Sequence, residues 1–547
     1  MKNLRVDSII VFILSFAFYL YYQRIHPLFG DEFNILVQAA RVLDGQVPYR
    51  DFFQFITPGS IYLSALWLKI FGKSISSIRV FSSLEGAVIA LLVYTLVKKI
   101  TSSRTIIVIV LLFSLCFSTT FWFFVSHHWL STITALSAIY FMSEYVEKGR
   151  KIFLISTGLF SGITFFILQN KGVLIFIALC FFIVLDVLLF KKGMRTFSVR
   201  LKHLTGDVVI LSIFYVTPIV FLIIYLFFKD ALGDFIYDSF LWVLGPYSKF
   251  NAYPNYFFMG NYAIFQILKD NSLLPGLLRA RDQIVIGYLP PIITALSIYY
   301  LIKFYSKDSE NIRWKNAVLF TITTLFMFSS ILYRSDQVHI TYIFPFVLLL
   351  LANVFDGWLA RWREFKGFQG LILLALLFIF FFYGAYGAVS RLRFAHNFKY
   401  PFDTRIGRFY AYDKSVADYY DNLFRGVEEK VKDNRVFVYL WSPFIYFVSE
   451  KKNPTKYDSV IPGYNTNEQL EEVIDDLERQ NLQFVITDGV DEGILKDPYL
   501  FSYPGAKINK DNPLNLYLRE RYEEIAEIRF DENLAYKILR RRDAVEK

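Results

Sequence analysis

The sequence predicts a mainly α, polytopic membrane protein of about 11 transmembrane helices, with a surface helix in its first outer loop and a small C-terminal α/β extracytoplasmic domain. Three observations carry this. The 547 residues are 55% hydrophobic and 19% aromatic, with a mean hydropathy of +0.39, and the apolar ones fall in long blocks rather than beneath a polar skin. Basic residues flank those blocks, as at Lys98, Lys99 and Arg104, and at Lys191, Lys192, Arg195, Arg200 and Lys202. From residue 391 the chain turns polar and changes its periodicity.

Eleven runs are long enough to cross a bilayer: 6–24, 75–97, 104–124, 127–146, 152–170, 172–190, 207–228, 284–304, 315–333, 338–356 and 369–390. Residues 8–22 lack a small-residue cleavage site and are followed by further runs, so they read as a first span and not as a cleaved signal. PGSIYLSALWLKIFG (58–72) is apolar but short, which suits an interfacial or re-entrant helix. GDEFNILVQAARVL, from Gly30, has the pattern of an amphipathic helix lying on the membrane surface.

Loop charge orients these runs. With Lys2 and Arg5 inside, the loops KKITSSR, EKGRK, KKGMRTFSVRLKH, KFYSKDSENIRWK and ARWREFK all face the cytoplasm, and each is rich in Lys or Arg. The amino terminus is then cytoplasmic. The outer side receives residues 25–74, His127 and His128, Asn170 and Lys171, the long loop 229–283, Arg334 to His339 and the tail. Two domains result: a membrane domain over 1–390, including the outer loops 25–74 and 229–283, and an extracytoplasmic α/β domain over 391–547. In the tail, RVFVYL (435–440) and LQFVITDG (482–489) read as strands and NEQLEEVIDDLERQN (467–481) as an amphipathic helix. NPLNLYLRERYEEIAEI (512–528) reads as another helix and NLAYKILRR (533–541) as a closing strand.

Several function classes fall away. The formal charge of +10 resides largely in topology signals, not in a groove for nucleic acid. Cys116 and Cys180 both lie inside apolar blocks, so neither a disulfide framework nor a thiolate metal site is expected. No glycine-rich phosphate fingerprint occurs, so no cofactor is expected.

The residues suited to chemistry collect on the outer side. Asp31 and Glu32 open the surface helix, where acids favour the positive helix end. A carboxylate at the mouth of a bundle is equally placed to act as a general base on an acceptor hydroxyl. Arg50, in PYRDFFQFITPG, offers a bidentate phosphate contact. Asp51 beside it can pair with it or orient a base, or the two can simply close a turn between Pro48 and Pro58. His127 and His128 open the fourth run; adjacent histidines point about 100° apart, which disfavours a shared metal, and no metal is expected. Imidazole can instead donate to sugar or phosphate. In ILQNKGV, Lys171 follows Asn170 at an outer mouth, where a compact cation suits a lipid phosphate, although snorkelling alone would also put a lysine there. Arg334, Asp336 and His339 form either a second phosphate cluster or an ion pair that holds the bundle.

Taken together, this pattern resembles the polytopic glycosyltransferases that use polyprenyl-phosphate sugars, the GT-C fold, and within them the bacterial family 39/83-type proteins, which include protein O-mannosyltransferases and aminoarabinose transferases. The resemblance rests on a first span, an outer loop opening with GDE, a surface helix, P-Y-R-D-F…P-G-x-x-Y, many further spans and an outward tail. SPFIYFVSEKKNPTKY (442–457) also looks like a segment common beyond the last span of such proteins. The resemblance implies a catalytic acid at Asp31 with Glu32 beside it, and a phosphate-contacting basic residue at Lys171. The residues themselves add Arg50 and Arg334 as further phosphate contacts, and Asp51, His127, His128, Asn170, Asp336 and His339 in supporting or sugar-binding roles. The implied donor is a polyprenyl-phosphate-linked sugar in the membrane, and the acceptor a hydroxyl on a lipid, glycan or protein, with inversion. His127 and His128 stand where relatives carry another acid. Two other readings remain open, a lipid-linked glycan ligase and a transporter or flippase of lipid-linked sugars.

Overall fold

Long apolar blocks in a chain that must satisfy its own backbone inside lipid leave the helix as the economical solution, and the described parts of the eleven apolar runs are mostly helical in the computed structural model. It describes residues 2–24, 30–118, 124–190, 197–251, 255–269, 271–304, 311–361, 368–461, 464–488, 512–530 and 535–543. The first half contains α1 (Lys2–Tyr22), α2 (Gly30–Leu43), α3 (Gly59–Phe71), α4 (Ile75–Val97), α5 (Arg104–Phe113), α6 (His127–Lys148), α7 (Lys151–Ile167), α8 (Gln169–Leu185) and α9 (Phe197–Phe228). A connection built from α10 (Leu232–Ile236), two π-helical turns, α11 (Ser248–Asn251) and α12 (Phe258–Lys269) leads to α13 (Leu273–Phe304), α14 (Ile312–Ser329), α15 (Gln337–Ala360) and α16 (Phe368–His396). Six helices, Ile75–Val97, Gln169–Leu188, Ser198–Phe228, Leu273–Lys303, Gln337–Ala360 and Gly370–His396, are long and apolar enough to cross a membrane by length and composition.

The ends of the runs differ from the sequence reading where polar residues extend a helix beyond the apolar stretch. The ninth helix starts at Phe197 and the thirteenth at Leu273, well before the expected 207 and 284, and the sixteenth continues to His396. The loop expected over 229–283 is correspondingly shorter and partly helical. The run 104–124 ends in a π-helical turn at Ser114–Ser118, and residues 119–123 lie outside the described residues.

α15 is apolar on all sides and sits in the middle of the bundle, with Ile343, Phe344, Phe346 and Val347 fully buried. The peripheral α9 and α16 turn Phe221, Phe228, Leu371 and Phe378 outward, as lipid-facing helices do. Close helix approach relies on small residues: a Cβ at Gly162 of α7 would sit 2.3 Å from the Tyr215 carbonyl of α9. At the end of the bundle carrying the KKITSSR and EKGRK loops, ion pairs join helices, with Lys99 bridging Glu144 and Glu147, and Lys151 meeting Asp207.

The tail begins with a hairpin, β1 (Tyr400–Thr404) and β2 (Gly407–Ala411), followed by α17 (Lys414–Lys430). β3 (Phe437–Tyr439), α18 (Phe444–Val448), α19 (Asn467–Arg479) and β4 (Phe484–Asp488) come next, then α20 (Pro513–Arg521), β5 (Tyr522–Arg529) and β6 (Ala535–Arg541). The sheet order is β3-β4-β6-β5, parallel only between β3 and β4. The stretch read as one helix over 512–528 is a helix to Arg521 and then a strand, because Tyr522 to Arg529 alternates in burial and pairs with β6. The hairpin and α17 were not expected from the sequence.

The tail docks on α2. Phe33, Leu36 and Val37 share one core with Phe444, Phe447 and Val448 of α18, which gives the SPFIYFV stretch its structural role. Arg41 of α2 reaches Asp458 (2.7 Å) and the Thr455 carbonyl (3.1 Å).

Candidate active site

The first turn of α2 separates its two acids. Glu32 points into the protein and is fully buried. Its carboxylate receives Arg79 of α4 through both guanidinium ends (3.0 and 2.9 Å) and the Val125 N–H (3.1 Å). Both oxygens are thereby occupied, which corrects the catalytic reading of Glu32: it clamps α2 onto α4 and onto the segment leading into α6. Asp31 faces the other way, accepts no hydrogen bond among the described residues, and lines a cavity of about 530 Å³. Asp31 is exposed by surface area, open to the cavity, although protein atoms crowd around it. Burial pushes its pKa above the usual carboxylate value, Arg334 and His339 pull it back, and Asp336 adds to the rise.

Across the cavity stand Arg334 and His339, both held by Asp336. Asp336 caps α15 by accepting the His339 N–H (2.9 Å), and it also meets His339 Nδ1 (2.7 Å) and Arg334 Nε (3.1 Å). Burial alone would raise its pKa, but His339 and Arg334 outweigh that and hold it below the usual carboxylate range. Asp336 therefore supports the cavity wall without belonging to it. His127 and His128, placed by the Ser126 cap of α6, also line the cavity, as does Asn170 at the start of α8. The His128 ring stacks on Tyr342 at 4.1 Å and meets His339 edge-on at 5.4 Å. Its Nδ1 has no hydrogen-bond partner among the described residues. Leu168, Val173, Leu174, Val243 and Leu244 supply an apolar stretch of wall, and Gln169, Ser239, Tyr247 and Tyr333 also line the cavity.

Two expected phosphate contacts lie elsewhere. Lys171 is buried beneath the histidine layer, where Nζ donates to the His128 carbonyl (3.3 Å) and Thr132 Oγ1 (3.0 Å), 5.8 Å from the centre of the Tyr342 ring. It does not line the cavity, since its ammonium is held by these inward partners. Arg50 forks onto Asp51 (2.9 Å twice) and donates to the Lys229 carbonyl (3.2 Å), lining a separate groove between α2, residues 46–51 and the tail. Asp51 also accepts the Val47 N–H (2.7 Å), so this pair closes the turn and stays apart from Asp31.

The sequence reading missed Arg79, Tyr342, Trp441 and Tyr464. The last two reach the cavity from the tail. A Cβ at position 30 would come within 2.5 Å of the Trp441 indole nitrogen, so glycine next to Asp31 is what lets the tail close over it. A second recess of about 90 Å³ opens on the other side of Asp31. Among the described residues no cluster of three or more His, Cys, Asp or Glu is set to hold a metal ion.

A family model described as dolichyl-phosphate-mannose-protein mannosyltransferase matches residues 56–220. No curated protein sequence matches the chain. Among solved structures, the fold matches ArnT from Cupriavidus metallidurans, both apo and bound to undecaprenyl phosphate, with a TM-score of 0.55 over 98% of each chain at 10% identity. It also matches the Archaeoglobus fulgidus oligosaccharyltransferase, solved with Zn and sulfate, with a TM-score of 0.52 at 13% identity over 87% of this chain and 68% of that one. The chain has the GT-C fold of polytopic membrane proteins, ArnT-like over nearly its whole length.

Proposed function

We propose that the chain is an integral membrane glycosyltransferase that moves a sugar from a polyprenyl-phosphate carrier to a hydroxyl acceptor on the extracytoplasmic face, with inversion and with Asp31 as general base. One observation carries the reading: a carboxylate without a hydrogen-bond partner among the described residues faces an Arg334–His339 array across a cavity with a largely apolar lining. The fold shared with a protein that binds undecaprenyl phosphate supports the donor class. The match to a mannosyltransferase family over residues 56–220 supports the reaction class.

In this reading the apolar walls take the first isoprene units and Arg334 and His339 face the phosphate. The acceptor oxygen attacks the anomeric carbon from the side of Asp31, which takes the hydroxyl proton. The bond from the anomeric carbon to the phosphate oxygen breaks, and its electron pair leaves with the lipid phosphate. That leaving group is already an anion, so it needs neutralisation and not a proton, and Arg334 supplies it. Loop charge supports a cavity and tail on the extracytoplasmic side of a cell membrane.

The test is transfer by membranes containing the protein, supplied with radiolabelled undecaprenyl-phosphate sugars and envelope acceptors, with Asp31→Asn as control. Transfer by the wild type and its loss in D31N supports the reading. Full transfer by D31N removes the base, and release of no polyprenyl phosphate under any acceptor condition favours a transporter. Protease access to the tail from outside the cell checks the orientation.

A further inference from the structure

Asp31 stands on a partition. The larger cavity lies on one side, and the recess of about 90 Å³ on the other also reaches His127, Trp441 and Tyr464. Both chambers are largely apolar, the recess through Ile35, Phe53, Phe55, Ile56 and Ile461, but the recess alone adds Asn34, Gln38, Gln54 and Ser60 from the first loop and Asp458 and Ser459 from the tail.

Three polar atoms among those walls have no hydrogen-bond partner among the described residues: Asn34 Oδ1, Asp458 Oδ2 and Ser459 Oγ. Asp458 is 3% exposed, and its other oxygen is already held by Arg41 (2.7 Å) and Asn453 (2.9 Å). Two of the three atoms can only accept, so an occupant must bring donors. Buried acceptors left unmet cost free energy, and such groups call for a ligand or ordered water. The charge in the recess also selects. Asp31 and Asp458 both present carboxylates, no Lys or Arg lines the recess among the described residues, and Arg41 behind Asp458 spends its donors on Asp458, Gln46 and the Asp51 and Thr455 carbonyls. A phosphate would meet two like charges there. A hydroxylated ring would find acceptors for its O–H groups and the aromatic surfaces of Trp441 and Tyr464 for its C–H face. The recess has room for on the order of six waters, the scale of the hydroxylated edge of one sugar ring.

We propose that this recess is the acceptor subsite, that it takes an uncharged glycosyl unit, and that the tail domain sets the choice of acceptor through Trp441, Asp458 and Ser459. The proposal rests on the glycosyltransferase reading above and adds the acceptor class. The sugar hydroxyl enters from the recess, and Asp31 takes its proton at the partition.

Binding to the purified full-length protein in detergent tests it. The probes are undecaprenyl phosphate for the larger cavity, and neutral methyl hexosides and pentosides, glucose 1-phosphate and a serine-containing peptide for the recess, followed by saturation-transfer NMR. The expected result is millimolar binding of a neutral glycoside to the wild type, weakened at least tenfold by Asn34→Ala and by Ser459→Leu, with undecaprenyl phosphate binding retained in both as evidence of a folded protein. Absence of any glycoside binding overturns the proposal, as does preference for the sugar phosphate or the peptide, or glycoside binding unchanged in both variants. Failure of the wild type to bind undecaprenyl phosphate counts instead against the donor reading, so the two outcomes are separable.

Discussion

Replacing Glu32 by leucine separates the structural acid from the reactive one. The substitution leaves Arg79, with a side chain only 4% exposed, without its counter-ion and the Val125 N–H without its acceptor. Breaking a buried pair from one side costs about 3–5 kcal/mol, and the orphaned N–H about 1–3 kcal/mol more. An unfolding entropy of about 2.1 cal/mol/K per residue over 547 residues turns the pair's share into a midpoint drop of about 3–4 °C. The drop is larger if the helices stay formed when the bundle opens, since less entropy is then released. Arg79→Met alone should fall similarly, because it strands Glu32. The double variant E32L/R79M should recover most of the loss, since a well-packed apolar pair often replaces a buried ion pair at no net cost. Thermal unfolding in detergent beside a transfer assay reads both quantities. If E32L kept the wild-type midpoint and lost transfer, Glu32 would be a reactive group and the clamp assignment would be wrong.

Asp31→Asn should lower transfer by about 100- to 10,000-fold without loss of stability, because it removes a carboxylate that no described neighbour hydrogen-bonds. For the wild type, activity requires the ionised base, so transfer should rise with pH through a midpoint above the ordinary carboxylate value; a flat profile between pH 4 and 8 would count against Asp31. Arg334→Met should reduce transfer by roughly 100- to 1,000-fold, whereas Lys171→Met should leave donor KM close to wild type; the reverse order in donor titrations would restore Lys171 as the phosphate contact. Asp238, buried in the connection after α9, is raised to about 7, chiefly by burial. Its folded state holds a proton that the unfolded chain releases near pH 4, so its contribution to stability is present at low pH and falls as pH rises from about 4 to 7. Asp238→Asn should flatten that part of the pH–stability curve, which thermal unfolding across pH 4 to 8 measures.

The helical part of the fold was legible because apolar runs and their basic flanks are local signals, and each run coincides largely with helix among the described residues. The helix ends were not, since α13 and α16 continue through polar residues whose helicity comes from neighbouring contacts. In the tail, Tyr522 to Arg529 reads as amphipathic in either period, and only its pairing with β6 decides for a strand. The site divides along the same line. Asp31, His127, His128, Arg334 and His339 were found because charged and imidazole side chains at membrane mouths stand out from an apolar background. Lys171 and Arg50 stood out equally, but their partners, Thr132 and Asp51, decide their direction, and sequence position carries no information about direction. Trp441 was invisible because its relation to Asp31 spans some four hundred residues of chain.

Adjacent residues on a helix differ by about 100° in heading, so the order of the acids in GDE works as a phase mark. Arg79 grips one tooth of α2, and the Trp441 indole sits where a larger neighbour of Asp31 would stand. A slip of one residue in either direction would turn Asp31 to the arginine or withdraw both acids from the chamber. Exchanging the two letters would keep composition, charge and helix propensity almost unchanged and still deliver a longer arm to the chamber and a shorter one to the clamp. The motif is therefore keyed in rotation, and the key is cut by two parts of the chain that the motif itself does not contain.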